Sequence, residues 1–296
     1  MNNFVSHSQP NPYIGVGLRH PHYEQSLSHN QTEIPIDFVE IHAENFFAEG
    51  GITRALLEDV CNKYALSVHG TSLGLGSQLP VPNDILEKFA DLVEFTQPRL
   101  VSEHLCFNRA AIDKQVVHTG DLLPIAYDNA SLLNIVEHID HVQNKIKRPI
   151  LIENLSAYLS PQDLSGDVKD TMSEIEFLTE MCRRAGCGLL LDLNNLIVNA
   201  LNQNVENPLQ SIQSALTPLP ADLIGEIHLA GFTDKKVEGF IVDDHGAAVS
   251  QQCWDLYEYI VSSFGNKPTL IEWDNNLPEW SVLVAQASTA RHIAAS

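Results

Sequence analysis

The chain has 296 residues, 44% of them hydrophobic, which is enough to bury one large core. Its 17 Lys and Arg stand against 38 Asp and Glu, a formal charge of −21. Such a field repels phosphate backbones and anionic lipid, so the sequence argues against nucleic acid and membrane surfaces as partners. Bound cations would offset part of that charge.

The opening residues, MNNFVSHSQPNPY, have neither the basic nor the apolar region of a signal peptide. No apolar run approaches the ~18 residues of a membrane span. The five cysteines (Cys61, Cys106, Cys182, Cys187, Cys253) are odd in number and contain no C-x-x-C pair. Reduced, mostly buried thiols in a cytoplasmic protein are expected, with no cysteine zinc site.

In chain order, one element recurs: a short apolar run that ends in a polar residue. YIGVGL (13–18), DFVEIH (37–42), ALSVHG (65–70) and LVSEHL (100–105) are the first four. PILIEN (149–154), GLLLDL (188–193), IGEIHL (224–229) and PTLIEW (268–273) complete the series. Their middles are continuously apolar, as in strands buried on both faces. Between them, 53–64, 83–95, 130–146, 173–185 and 251–265 carry apolar residues at helical spacing. Ser173 with Glu176 forms a capping-box pattern, and Gly186 and Gly265 are natural stops.

Eight strands alternating with helices predict a single (β/α)8 TIM barrel over residues 1–296, with its core at about 13–280 and a short tail at 1–12. An open doubly wound sheet is the runner-up. Gly15 and Gly17 lack the third glycine and the immediate helix of a nucleotide-binding loop.

In a barrel, chemistry collects where the strands end. The third strand ends in His69, the fourth in Glu103-His104, the fifth in Glu153-Asn154 and the sixth in Asp192; the seventh ends in His228 and the eighth in Glu272. Taken singly, each is an ordinary loop-capping group. Six in succession would repel one another without matching Lys and Arg, and divalent cations resolve that conflict. The donors are imidazole and carboxylate without thiolate, which suits Fe, Mn or Zn. They are too numerous for one coordination sphere, so two or three ions are expected, with Glu153 as the bridging carboxylate. Asp243 and His245, in the loop after His228, can reach an ion beside it.

GVGLRHPHYE, FVEIHAENFF, SVHGTSLGLGS, VSEHLCFNR, LIENLSAYL, LLLDLNNLIVNA, GEIHLAGFTD, VDDHG and LIEWD together resemble the multinuclear non-heme iron-dependent oxidases related to the methanobactin-biosynthesis oxidase. The resemblance spans about residues 13–280 and implies a xylose-isomerase-like TIM barrel. It also implies a ligand pattern. His69, His104 and Glu153 surround one iron; Glu153 bridges to a second held by Asp192, His228 and Glu272. Asn195, Asp243 and His245 form a third, weaker site. The implied activity is O2-dependent oxidation of cysteine residues in a ribosomally made precursor peptide, usually with a separate leader-binding partner protein. Two or three Fe ions are the implied cofactor, with Zn or Mn as substitutes.

Beside these ligands, Asp274 reads either as an acid/base group or as a loop cap, and Asn154 as a hydrogen-bonding neighbour of the metals. The resemblance makes Arg19, His22 and Tyr23 substrate-contacting residues. His42 and Glu44 are expected to line the mouth, and His138 and His141 to lie on a solvated helix surface. Residues 70–80 read as either a lid or a tight route around the rim, and QQCWDLYEYI as a core-facing helix. A metal-dependent hydrolase or isomerase on the same barrel, abasic-site endonuclease-like or sugar isomerase-like, is the alternative function. The negative charge argues against DNA, and the surplus of ligands against a two-ion sugar isomerase. A non-catalytic metal-binding protein is the third class.

Overall fold

Eight strands close on one another in the computed structural model, which describes residues 11–159, 171–233, 236–237 and 239–296. Most of the predicted N-terminal tail, residues 1–10, lies outside the described residues. The barrel strands are β1 (Ile14–Gly17), β2 (Phe38–His42), β3 (Ala65–Gly70), β4 (Leu100–His104), β7 (Leu151–Glu153), β8 (Gly188–Asp192), β9 (Ile224–Leu229) and β12 (Thr269–Ile271). Every neighbouring pair is parallel, and β1 pairs with both β2 and β12 to complete the circle. The eight apolar runs of the sequence therefore all become barrel strands.

Two hairpins interrupt this repeat. β5 (Phe107–Ile112) and β6 (Gln115–Leu123) form an antiparallel ribbon, as do β10 (Lys236–Val237) and β11 (Phe240–Ile241). Asp113 and Lys114 close the first hairpin with φ of 49° and 66°. A two-residue turn of that handedness matches the twist of the flanking strands.

The helices are α1 (Tyr23–Ser28), α2 (Gly51–Lys63), α3 (Asn83–Thr96), α4 (Asn129–Ile146), α5 (Glu174–Ala185), α6 (Leu193–Asn202), α7 (Pro208–Leu216), α8 (Gln251–Phe264) and α9 (Trp280–Ala294). Ser173 caps α5 in a reciprocal box with Glu176, and Gly186 ends it at φ 64°. In α8, Cys253, Leu256, Tyr257 and Ile260 are buried, so that face is core as expected. All five cysteines are free thiols and only Cys61 is partly exposed. Among the described residues no helix is long and apolar enough to cross a membrane.

One expectation is overturned here. His138 is buried, and its Nδ1 lies 2.8 Å from the Leu75 carbonyl. It sits three residues after Ile135 and four before Val142, both fully buried, so it belongs to the inward stripe of α4. His141 is exposed as expected. The same contact settles the 70–80 loop as a fixed route around the rim. Leu73 and Leu75 are fully buried, and Leu73 N donates to Glu103 Oε2 at 3.0 Å. Gly76 N donates to the Cys106 carbonyl at 2.8 Å.

The glycines of β1 have a packing role. A Cβ on Gly15 would stand 2.6 Å from the Phe38 ring, and one on Gly17 would stand 3.1 Å from the Arg19 guanidinium. Their missing side chains admit an aromatic plug and a buried cation. Gly15→Ala is expected to cost roughly 1–3 kcal/mol by overpacking, read as a lower urea midpoint. Phe38→Leu in the same chain should recover part of the loss; an unchanged midpoint for Gly15→Ala would remove the packing argument.

Candidate metal centre

Strand alternation decides which terminal residues enter the barrel mouth. His69 Nε2, His104 Nε2 and Glu153 Oε2 form a triangle with sides of 3.4, 3.2 and 3.3 Å. Donors about 2.1 Å from a tetrahedral ion stand roughly 3.4 Å apart, so this spacing fits one cation. Each ring is held from behind. His69 Nδ1 contacts Ser102 Oγ at 2.7 Å, and His104 Nδ1 lies 3.1 Å from the Gly70 carbonyl. These contacts leave both Nε2 atoms facing Glu153. Glu103, next to His104, points the other way and accepts the Leu73 N–H and the His104 N–H.

Glu153, Asp192, His228 and Glu272 bring one donor atom each to within 4.8 Å of one another. His228 Nδ1 lies 2.9 Å from Glu272 Oε2, and His245 Nδ1 lies 3.1 Å from the same oxygen. Asp192 ends β8 and caps α6, where its Oδ1 accepts the Asn195 N–H at 2.6 Å. Its Oδ2 accepts no hydrogen bond and lies 3.9 Å from His245 Nε2.

The third expected set meets less tightly. His245 Nε2 is 3.0 Å from Asp243 Oδ1, but the compact cluster around His245 is completed by Glu272 and Asp274. Asp243 is steadied by Asn194 at 2.7 Å and Ser156 at 3.0 Å. Asn195 lines the same chamber with its Oδ1 unpaired.

Five buried atoms converge here without hydrogen-bond partners: Glu153 Oε2, Asp192 Oδ2, Asn195 Oδ1, His228 Nε2 and His245 Nε2. Buried polar atoms are rarely left so, and this set, of which Glu153, Asn195 and His245 line a chamber of about 330 Å³, has the chemistry of a cation cradle. The donor set of imidazole, carboxylate and one amide fits divalent transition metals.

The electrostatics carry the same message. Burial pushes Glu153 up to about 8 against the pull of His104 and His228. Burial likewise lifts Asp192 to about 7, opposed by His245. Burial disfavours charge on His104, but Glu153 and Glu103 outweigh it and raise the imidazole to about 10. Glu272 is held well below the usual carboxylate range; its burial is overcome by His228 and His245. Without cations the site balances itself with protons.

Two deeper carboxylates escaped the sequence reading. Glu40 and Glu226 are fully buried inside the barrel, with Glu40 Oε2 3.3 Å and Glu226 Oε1 4.0 Å from His228 Nε2. Each stands two residues before a mouth histidine, His42 and His228, and period-two spacing puts them on the same face. That signal was present in FVEIH and GEIHL.

The remaining expectations separate. Arg19 is buried, and its Nε and Nη2 both donate to Asp274 Oδ1, at 2.9 and 2.6 Å. Its Nη2 also lies 2.8 Å from His42 Nε2 and 3.6 Å from Glu272 Oε1. Arg19 is thus committed to the chamber wall. His22 and Tyr23 are not brought to the chamber. A short 3-10 turn (His20–His22), with Pro21 at its second position, carries the chain away from the mouth. His22 is buried against Trp280 with its Nε2 2.8 Å from the Pro278 carbonyl, and Tyr23 packs on Phe46. Asn154 acts on backbone: its side chain accepts the Asp192 N–H at 2.9 Å and donates to the Asp192 carbonyl at 3.1 Å. Glu44 accepts from Thr71 N and Ser72 Oγ, fixing the rim.

With this geometry established, similarity to known proteins becomes informative. Residues 13–295 match the family described as "RiPP precursor modification enzyme MbnB/TglH/ChrH", RiPP denoting a ribosomally made, post-translationally modified peptide. The chain belongs to this family. A UPF0276 protein of Chromobacterium violaceum is 41% identical over 279 residues, 94% of each chain. One from Vibrio vulnificus is 40% identical over 288 residues, 97% of this chain and 93% of its own. Among solved structures, a xylose isomerase domain protein of Salmonella typhimurium aligns with TM-score 0.60 at 13% identity, covering 98% of this chain and 100% of its own. Endonuclease IV of Thermus thermophilus aligns with TM-score 0.59 at 12% identity, covering 95% and 98%. The family member therefore has a xylose-isomerase-like TIM barrel, and its family modifies precursor peptides.

The shifted groups predict how the metal-free protein responds to pH. His104 is raised, so its contribution is complete below about 6.5 and is lost as pH rises through about 10. Glu153 is also raised and has the same sign, its contribution fading between about 4.3 and about 8. The melting temperature of chelator-treated protein should therefore fall from about pH 6 to about pH 10. Loading a divalent cation should flatten the decline, because the ion replaces the protons. A metal-free melting temperature that rises over this range would contradict the assignment.

Proposed function

We propose that the chamber holds two or three iron ions and that the protein oxidises cysteine residues of a precursor peptide with O2. The observation that carries this reading is the convergence of buried, unpartnered imidazole, carboxylate and amide atoms at the mouth. His69, His104 and Glu153 would hold one ion; Glu153, Asp192, His228 and Glu272 a second; and Asn195, Asp243 and His245 a third. Bound iron would supply electrons to O2 and a Lewis-acidic site for a substrate thiolate. Reduction of one O2 to two waters takes four electrons and four protons, which a four-electron oxidation of the cysteine would supply. Zn or Mn would fit the same donors, Zn without that redox role.

The chain's own residues prepare the chamber. Asn154 and the α6 N-cap fix Asp192, while Ser102 and the Gly70 carbonyl fix the two imidazoles. Burial and the nearby Glu272 push Asp274 up, but Arg19, His245 and His42 together hold it down at about 2. Asp274 lines the chamber as a carboxylate near neutral pH, suited to accept a hydrogen bond from a substrate N–H or S–H. His42, neutral because burial and Arg19 both lower its pKa, completes that wall. Five free cysteines accord with a reducing, cytoplasmic setting. Residues 1–296 are read as one domain, and a separate leader-binding protein would deliver the peptide.

Metal analysis of anaerobically purified protein, with Mössbauer spectra of an iron-57 sample, tests the proposal. Two or three irons per chain, some magnetically coupled, are expected. Zinc alone, with no activity after anaerobic Fe(II) reconstitution, would favour a hydrolase or isomerase on the same barrel. Glu153→Ala and His228→Ala should each lose metal and thiol-dependent oxygen uptake while keeping the far-UV circular dichroism of the parent. Full iron content and turnover in either variant would sink the proposed ligand set.

A further inference from the structure

A second cavity, of about 470 Å³, opens beside the metal chamber. The two share a wall, since Pro124, Leu155 and Ala157 line both. None of the residues assigned to the metals lines the second cavity. Most of its lining residues are apolar, Leu196, Ile175 and Ile212 among them, although polar atoms make up nearly half of its surface. Two polar groups there face each other, the Tyr127 hydroxyl donating to Glu174 Oε1 at 3.4 Å.

Helix α6 sets the distance between the two spaces. Asp192 and Asn195, at its start, serve the metal chamber, and Leu196, Asn199 and Ala200 line the groove. Asn199 also fixes the shared wall: its side chain accepts the Ala157 N–H at 2.7 Å and donates to the Leu155 carbonyl at 2.8 Å. At ~1.5 Å per residue, Asn195 and Ala200 lie roughly 7 Å apart along the axis. An extended peptide covers that span in about two residues, and side chains two apart point to the same side.

We propose that this groove is a specificity pocket for the precursor peptide. It takes a large apolar or aromatic side chain two positions from the residue presented to the metals. The occupant follows from two observations: the family acts on precursor peptides, and the groove adjoins the chamber across a shared wall. The identity of the presented residue as cysteine rests on the oxidase reading; the groove's affinity for an apolar side chain does not.

The test uses fluorescein-labelled nonapeptides with a central cysteine in a Gly/Ser background. Phenylalanine is placed once at each other position, and binding is read by fluorescence anisotropy on anaerobic, as-purified protein. Phe two positions from the cysteine, on one side, should tighten binding by about tenfold or more, the worth of burying such a side chain. Ala215→Trp, at an exposed α7 residue lining the groove, should erase that gain with metal content unchanged. Leu159→Asp, at the exposed rim, should weaken it independently. A flat scan, or a gain that survives both variants, overturns the pocket. A parallel series with central serine separates the two readings. A Phe gain equal in both series, with no preference for cysteine, upholds the groove and counts against the cysteine reading alone. A flat Phe scan with a clear preference for cysteine does the reverse.

Discussion

Too many buried ionisable groups meet at one end of this barrel for side chains alone to neutralise them. Glu40, Glu153, Asp192, Glu226 and Glu272 are all buried, and among the described residues Arg19 is the one Lys or Arg ion-paired to any of them. Desolvating a carboxylate costs several kcal/mol unless a partner offsets it. The histidines offset part of that cost by holding protons, which is why His104, His228 and His245 are all raised. Cations can do the same more completely, and they would free the imidazoles to act as neutral ligands. The proton-balanced and cation-balanced states are thus alternatives built into one set of residues.

The rest of the barrel keeps that set in register. Parallel strands end at one level, so residues far apart in sequence, such as His69, Glu153 and His228, arrive together. Groups that make no claim on the chamber hold several of them in place: Ser102 holds His69, the Gly70 carbonyl holds His104, and Asn154 holds the Asp192 backbone. Helix α6 begins directly after β8 and ties Asp192 to its own N-terminus, so the carboxylate is positioned by backbone as well as by packing. The same helix reaches the neighbouring groove one turn later, so one rigid element lines both spaces.

Much of this was legible because a parallel barrel imposes a strict rule. Eight apolar runs, each ending in a polar residue, admit few other architectures, and His69, His104, Glu153, Asp192, His228 and Glu272 are recognisable from strand position alone. The misreadings have local causes. His138 looked solvated beside His141, although its spacing from Ile135 and Val142 placed it in the buried stripe. His22 and Tyr23 looked mouth-facing because they follow β1, but Pro21 diverts them. Glu40 and Glu226 were hidden inside runs read as uniformly apolar, despite lying two residues before mouth histidines.

By itself, then, the sequence determined the barrel and the strand ends whose imidazoles and carboxylates cluster at its mouth. Those depend on periodicity and residue type, which are local properties of the chain. Only the tertiary structure decided that Glu103 turns away while His104 turns in, and that Arg19 is committed to Asp274. It also decided that Asn154 holds backbone, and that an apolar groove adjoins the chamber. Each of these depends on which side of a closing sheet a residue faces and on what distant segment meets it there, and no local pattern records that meeting.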